Sequence, residues 1–459
     1  RPAPADSCDV ALCSSLVELI DSAQHSIDNA IYGMRNQSRV LAALVAAKQR
    51  GVKERGVVDR DREGKNYYTS TDRLVETLGG IESDQKADQK IAKQRARDDF
   101  GGEPRCERPY GTQGPVQCLA YDLGDSCLLA AHASHEQLAG SDAIMHDKFF
   151  VVDAAAVWTG STNVSDSCSG GYNANLVVVA RSAELARWYT EEFEQMWRGG
   201  EFHTLKSSSG HKQVELANAT VELRFSPQDD PVRFGVRPLI KQARQRIDIA
   251  VFFLTHKHIV DDLIAAHRRG VKVRVVMDST GARNEYSKHE LLRAAGIPVK
   301  VEAWGGKMHM KSAAIDGAHV IAGSMNWTSA GEYSNDENTL LIHSDELAGQ
   351  YHRFFDELWA ALPDDLLTAN PDPESRRSGT SCSDGVDNDY DGEKDADDPG
   401  CGEAPPELPP LLPWRVVPKG DRMTCDVGMD GEASRRSPPP PSTMPPASPK
   451  VGGREAEAD

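Results

Sequence analysis

The apolar positions of the chain recur in two matching runs. In residues 16–34, LVELIDSAQHSIDNAIYGM, Leu19, Ile20 and Ala23 fall at helical spacing and give way to a strand over residues 27–32. Residues 239–254, LIKQARQRIDIAVFFL, repeat this with Leu239, Ile240 and Ala243 ahead of a strand over residues 247–252. A second helical pattern follows each strand, over residues 40–48 and 259–267. Then comes Arg50-Gly51-Val52-Lys53 or Arg269-Gly270-Val271-Lys272, whose glycine suits a helix C-cap. A further strand closes on Asp59 or Asp278.

The polar positions repeat as well. His146, Lys148, Asp153, Gly160, Ser161, Asn163 and Asn175 are matched, at identical spacings, by His309, Lys311, Asp316, Gly323, Ser324, Asn326 and Asn338. Alternating strands and helices in two copies predict an α/β fold of two pseudo-symmetric α/β/α sandwich halves, each with a mixed sheet. The halves are expected at residues 1–200 and 215–365, joined by a linker over 200–222. The Asp59-to-His146 interval is much longer than Asp278-to-His309. The excess is placed at residues 60–140, either an insertion beside the active site or a plain surface loop. Residues 366–459 form an irregular tail, partly disordered where proline is dense, as in SPPPPSTMPPA over 437–447.

Composition narrows the class. The chain has 459 residues, 39% hydrophobic and 27% charged, which suits a globular protein of two or more units. It contains no apolar run of 18 residues, so no transmembrane helix is expected. It opens on Arg1 without a leader-like segment, as expected of a mature form. A net charge of −18 disfavours a polyanionic partner at long range. Nine cysteines form no CxxC pair. They group as Cys8 with Cys13, a quartet from Cys106 to Cys168, and Cys382 with Cys401, leaving Cys425. Disulfides and an oxidising compartment fit this grouping, against scattered buried thiols as the alternative.

MHDKFFVVD and MHMKSAAID both read as strands, and in a strand residues i and i+2 share a face. His146 and Lys148 therefore face one way, as do His309 and Lys311. A neutral imidazole beside an ammonium suits attack on phosphorus: the Lys neutralises the non-bridging oxygens and the His supplies the lone pair. The GSxN segments add a hydroxyl and a carboxamide for the same oxygens. Lysine is no ligand for a hard cation, so the motif does not read as a metal site.

His-x-Lys-x4-Asp followed by GSxN, present twice, resembles the phospholipase D superfamily over roughly residues 14–360. The resemblance implies that both motifs meet at one active site and that catalysis uses no cofactor. One His forms a phosphohistidine; the other protonates the leaving alcohol and then activates water or an acceptor alcohol. By analogy His146 is the nucleophile and His309 the acid/base. Lys148, Lys311, Asn163 and Asn326 hold phosphate oxygens, Ser161 and Ser324 assist them, and Asp153 and Asp316 brace the motif more than they touch substrate. Family members commonly place a carboxylate on the far nitrogen of the catalytic His. Glu337 fills that place in the second copy, whereas the first has Ala174. Asn173, Asn175 or a residue of the insertion then orients His146, or the roles are exchanged and His309 attacks.

A secreted or cell-envelope phospholipase D acting on glycerophospholipids at a bilayer or micelle surface is the favoured reading, working as a monomer because one chain carries both motifs. A metal-independent endonuclease or phosphodiesterase of the same superfamily is the alternative, and a degenerate binding module the non-enzymatic one. Trp304 and Trp327 are expected to line an acyl or headgroup channel, and Trp158 to sit in the core. In the tail, CSDGVDNDYDGEKDADDPGC over 382–401 places Asp387, Asp389 and Asp391 before Gly392, with Asp395 and Asp398 at the ninth and twelfth positions of an EF-hand-like loop. It resembles thrombospondin type 3 and other DxDxDG repeats, which implies a structural calcium; a solvated acidic linker is the alternative.

Overall fold

A computed structural model describes residues 3–100, 143–389, 391–402 and 424–427, with backbone alone at 93–100 and 424–427. Two mixed sheets form its frame. In the first half β1 (Ser26–Ile31), β3 (Lys53–Val58) and β4 (Ile81–Ser83) run parallel, and β5 (Lys148–Val152), β6 (Ala156–Gly160) and β8 (Leu176–Arg181) add antiparallel strands; β2 (Met34–Arg35) pairs with β7 (Val164–Ser165) outside the sheet. The strand order is β17-β8-β6-β5-β1-β3-β4, where β17 is Thr424–Val427. The second half holds β9 (Lys212–Leu216), β10 (Ala219–Ser226), β11 (Arg246–Val251), β12 (Lys272–Met277), β13 (Val299–Val301), β14 (Lys311–Ile315), β15 (His319–Gly323) and β16 (Glu337–His343), in the order β13-β12-β11-β14-β15-β16-β10-β9. Six strands of each sheet correspond one to one.

Helices cover both faces. The outer face of the first sheet packs α1 (Ala11–Ser22) and α2 (Ser38–Gln49); α1 buries Leu12, Leu16, Leu19 and Ile20 at helical spacing. Trp158 is fully buried in that core, as expected, with its ring N–H donating to Ser15 Oγ. Residues of α5 (Ala183–Trp197) and α6 (Asp345–Ala361) share one core with the inner faces of both sheets, so the halves are a single packed body. Ser182 and Ser344 cap these two helices by accepting from Leu185 and Leu347 N–H, which satisfies amides that a helix start leaves open.

Three boundaries differ from the sequence reading. Residues 212–226 are a hairpin of the second sheet and not linker, because Val214, Val221, Leu223 and Phe225 alternate into the shared core. The insertion begins later than residue 60: α3 (Thr71–Leu78) and β4 are counterparts of the helix His289–Ala294 and β13. The first-half excess therefore starts at α4 (Gln85–Phe100), and the rest of it lies outside the described residues. The tail is not wholly irregular, since β17 pairs with β8 and Ser381–Ser383, Asp395–Asp397 and Pro399–Gly402 form short 3-10 turns.

Candidate active site

The two His-x-Lys segments enter the centre of the molecule from opposite halves. Gly160 and Gly323 explain the glycine of GSxN: each has a positive φ, and a Cβ would stand 2.1 Å from Leu176 O and 2.2 Å from Asn338 O. These carbonyls accept from Ser161 N and Ser324 N, which fixes the loops that follow. The pairings also reveal a one-residue slip. Gly160 faces Val177 but Gly323 faces Thr339, so Asn175 is the counterpart of Glu337, and the equal spacing from Asn163 to Asn175 and Asn326 to Asn338 does not mark equivalent residues.

That slip resolves the missing partner of His146. His146 Nδ1 lies 2.8 Å from both carboxylate oxygens of Glu337, and His309 Nδ1 lies 3.0 Å from Asn175 Oδ1 and 3.1 Å from Ser161 O. Each half orients the other half's histidine. The backbones cross likewise: His146 N donates to Asp336 O, and His309 N to Ala174 O. The two oxygens nearest His309 Nδ1 are acceptors, so that nitrogen carries the proton and Nε2 faces the site. Sequence reasoning weighed partners for His146 only within its own half and the insertion, and so missed the exchange.

Lys148 and Lys311 each donate to the carbonyl of the histidine two residues back, at 2.6 and 2.7 Å. Tyr32 and Phe252, at the ends of β1 and β11, lie against both pairs. Tyr32 is 5.4 Å from the His146 ring and 5.7 Å from Lys148 Nζ; Phe252 is 5.1 Å from the His309 ring and 5.0 Å from Lys311 Nζ. Burial and the two ammoniums hold both imidazoles well below the usual histidine range, and His309 is lowered further by His146 itself. Burial brings Lys148 down to about 8 and lifts the Glu337 carboxyl to about 8. The carboxamide oxygens of Asn163 and Asn326 are buried without a hydrogen-bond partner, which leaves each amide a free acceptor, while Asn163 Nδ2 is held only by a 3.9 Å contact to Cys168 Sγ.

Other expected site residues fall elsewhere. Ser161 Oγ donates to Asn175 Oδ1 (3.0 Å) and Ser324 Oγ to Glu337 (2.7 Å), so the hydroxyls act behind the histidine partners and not on substrate oxygens. Asp153 and Asp316, expected among the catalytic set, lie away from the histidines. Each holds positive φ in a turn and accepts from three successive amides, of residues 24–26 and 244–246, that lead into β1 and β11. Those hydrogen bonds fix the segments that open the two strands. Trp327 is 1% exposed within the outer core of the second half and lines no channel, and Trp304 packs half-buried against the shared core. Cys168, grouped with the disulfide quartet, is a buried free thiol with Sγ 3.9 Å from His309 Nδ1; Cys106, Cys118 and Cys127 lie outside the described residues.

Two pairs of carboxylates also escaped the sequence reading as pairs. Asp59 and Asp84 both accept from Met145 N, at 2.9 and 3.2 Å, while Asp278 accepts from Met308 N at 2.9 Å beside Glu302. The amide just ahead of each catalytic histidine is thus fixed by a buried acid. The available signal was the aspartate that ends each second strand.

In the tail, disulfides join Cys382 to Cys401 and, near the N-terminus, Cys8 to Cys13. Carboxylate oxygens of Asp387, Asp389 and Asp391 lie within 4.8 Å of one another, as do those of Glu374, Asp389 and Asp398. Asp395 stands apart: it opens a 3-10 turn over Asp395–Asp397 and its side chain accepts from Gly385 N, ten positions earlier; Glu374, not expected from sequence, joins the acidic group instead.

A family model described as "Cardiolipin synthase, PLD-like domain" matches residues 16–197 and 236–359. A mitochondrial cardiolipin hydrolase of Chlamydomonas reinhardtii is 35% identical over 117 residues, covering 26% of this chain and 52% of its own length. A phospholipase D of Rickettsia conorii is 34% identical over 137 residues, covering 30% of this chain and 68% of its own. Among solved structures, Nuc from Salmonella typhimurium, a phospholipase D family member, is 28% identical, with a TM-score of 0.30, over 32% of this chain and 97% of its own. The phosphatidylserine synthase of Haemophilus influenzae is 14% identical, with a TM-score of 0.48, over 74% and 82%. The chain spans about half to two thirds of the length of the first curated relatives it matches. Both His-x-Lys motifs lie inside the matched segments, which together exceed half of the 459 residues, and the chain belongs to the PLD-like family of the phospholipase D superfamily.

Proposed function

We propose that this protein is a phospholipase D-type phosphodiesterase that cleaves glycerophospholipids through a phosphohistidine on His146. The observation that carries the assignment of roles is the asymmetry at Nδ1: a carboxylate meets His146, whereas neutral oxygens meet His309. Attack by His146 Nε2 leaves a cationic phosphoimidazolium; burial alone favours the neutral Glu337 acid, but the new cation beside it holds the group as a carboxylate that stabilises the intermediate, which Asn175 would not. As the new P–N bond forms, the ester P–O bond breaks and His309, neutral in the empty site and protonated at Nε2 once the anionic phosphodiester offsets the two ammoniums, passes that proton to the departing alcohol. His309 then takes a proton from water, or from an acceptor alcohol, which attacks phosphorus and frees His146. Phosphatidic acid and the headgroup alcohol are the hydrolysis products.

Lys148, Lys311, Asn163 and Asn326 supply the positive charge and donors for the phosphoryl oxygens. No metal is assigned to this chemistry, because a set of ammoniums and amides repels a cation. The net charge of −18 favours lipid over nucleic acid as substrate. Both histidines come from one chain, which supports a monomeric enzyme, and the two disulfides support an exported one. We place a structural calcium in the tail at Asp387, Asp389, Asp391, Asp398 and Glu374; Asp398 Oδ2 is buried there without a hydrogen-bond partner. Incubation with phosphatidylcholine vesicles and with plasmid DNA, each in EDTA, tests the substrate. Headgroup release is expected; DNA cleavage with intact lipid would replace this reading by the nuclease.

A further inference from the structure

Behind Met145 and His146 lies a buried cluster that the reaction does not use. Asp84 and Asp88, at the start of α4, face His203, which sits in a 3-10 turn after α5; all three are at most 4% exposed. His203 Nε2 is 3.5 Å from Asp84 Oδ2 and 3.3 Å from Asp88 Oδ1, and among the described residues neither ring nitrogen makes an aligned hydrogen bond. Those separations are long for charge-assisted hydrogen bonds of about 2.7–2.9 Å. They match the edge of a tetrahedron around a small divalent cation, about 3.3–3.5 Å for bonds of 2.0–2.2 Å.

The other ring nitrogen, Nδ1, is 3.0 Å from Asp336 Oδ2, and His203 N donates to Asp336 Oδ1 at 2.7 Å. A carboxylate on the far nitrogen is the arrangement that aims a ligating imidazole. His203 also holds a positive φ of 56°, a conformation that a non-glycine residue keeps only when its surroundings fix it.

Charge balance points the same way. The paired acids of the second half, Asp278 and Glu302, have the Lys307 ammonium beside them, and Lys307 precedes His309 by two residues. The equivalent position before His146 is Ile144, yet the first half gathers Asp59, Asp84 and Asp88. The cations facing them are His203 itself, Arg62 beside Asp88, and Lys206, which is engaged with Asp336 and Glu192.

We propose that Asp84, Asp88 and His203 bind one zinc-class divalent cation, with Asp336 orienting the imidazole and the fourth position left to water or Asp59. The ion is structural. It pins α4, where the first-half excess begins, to the backbone that carries His146 and Glu337.

Zinc binding to the EDTA-stripped full chain, measured by competition with a chromophoric chelator in saturating calcium, tests the site. One tight equivalent is expected, with a higher melting temperature. Asp88→Asn and His203→Gln should weaken it roughly 100-fold or more, while Asp389→Asn in the tail should leave it unchanged. Should His203→Gln fail to fold, Asp88→Asn and the cobalt spectrum of the wild type decide; four-coordinate bands without thiolate charge transfer are expected. No zinc equivalent on the folded wild type, unchanged affinity in the variants, or a thiolate band locating the metal at cysteines would each overturn the proposal.

Discussion

Glu337, at the start of β16, meets His146 across the boundary between the halves, with both oxygens 2.8 Å from Nδ1. The site therefore exists only when the halves are docked. Glu337→Gln keeps the shape but withdraws the charge that steadies the imidazolium and can fix the wrong tautomer. The expected loss in kcat is about 10²–10⁴-fold, by analogy with the acid of a serine-protease triad. Asn175→Ala should cost less, about tenfold, because it removes one of two neutral acceptors from His309. Steady-state kinetics on a soluble phosphodiester, with KM separated from kcat, checks both.

Asp153 and Asp316 give the opposite prediction. Their carboxylates hold the amides that open β1 and β11, and their own backbone is left-handed. Asp153→Ala should destabilise the fold by roughly 2–3 kcal/mol through the loss of charge-assisted hydrogen bonds. Activity per folded molecule should be nearly unchanged. Urea denaturation alongside kinetics at low temperature separates the two effects; a large fall in kcat without loss of stability would return these aspartates to the catalytic set.

Legibility followed what the sequence can encode locally. The two-copy α/β plan, His146, Lys148, His309 and Lys311 were readable because a repeated polar pattern at strand spacing leaves few alternatives. The crossing of Glu337 to His146 was not, since it depends on how two halves dock. The slip that makes Asn175 the counterpart of Glu337 was hidden by a one-residue difference in the loop before β8. Trp327 misled because a large aromatic beside a motif reads equally well as a channel wall or as core. His203 carries no motif at all, and its acidic neighbours are 115 or more positions away along the chain, or 133 in the case of Asp336.

Buried acids set the response of stability to pH. Burial lifts the Asp147 carboxyl to about 8, and its Oδ1 accepts from Asn338 Nδ2 at 2.8 Å. The native state thus keeps a proton that the unfolded chain releases near pH 4. The stabilisation is complete below that value and is lost as pH rises through about 8. Thermal melts from pH 5 to pH 8 should show a falling midpoint, and Asp147→Asn, which retains an acceptor for Asn338, should flatten the slope. A midpoint that rises over this window would contradict the assignment.

Cys168 sits near enough to His309 to matter without taking part. Cys168→Ser should fold and retain activity within a few-fold, since the thiol's polar contacts are weak sulfur contacts, 3.4 Å to Asn173 Nδ2 and 3.9 Å to both Asn163 Nδ2 and His309 Nδ1, which a hydroxyl can also make. Side-by-side kinetics of the serine variant and the wild type check this.

The most direct test is chemical. Rapid quenching during turnover of a labelled phosphodiester, followed by peptide mapping, locates the covalent phosphoryl group. Label on His146, absent in His146→Ala and accumulating in His309→Ala with an activated leaving group, is the predicted result; label on His309 would contradict the account.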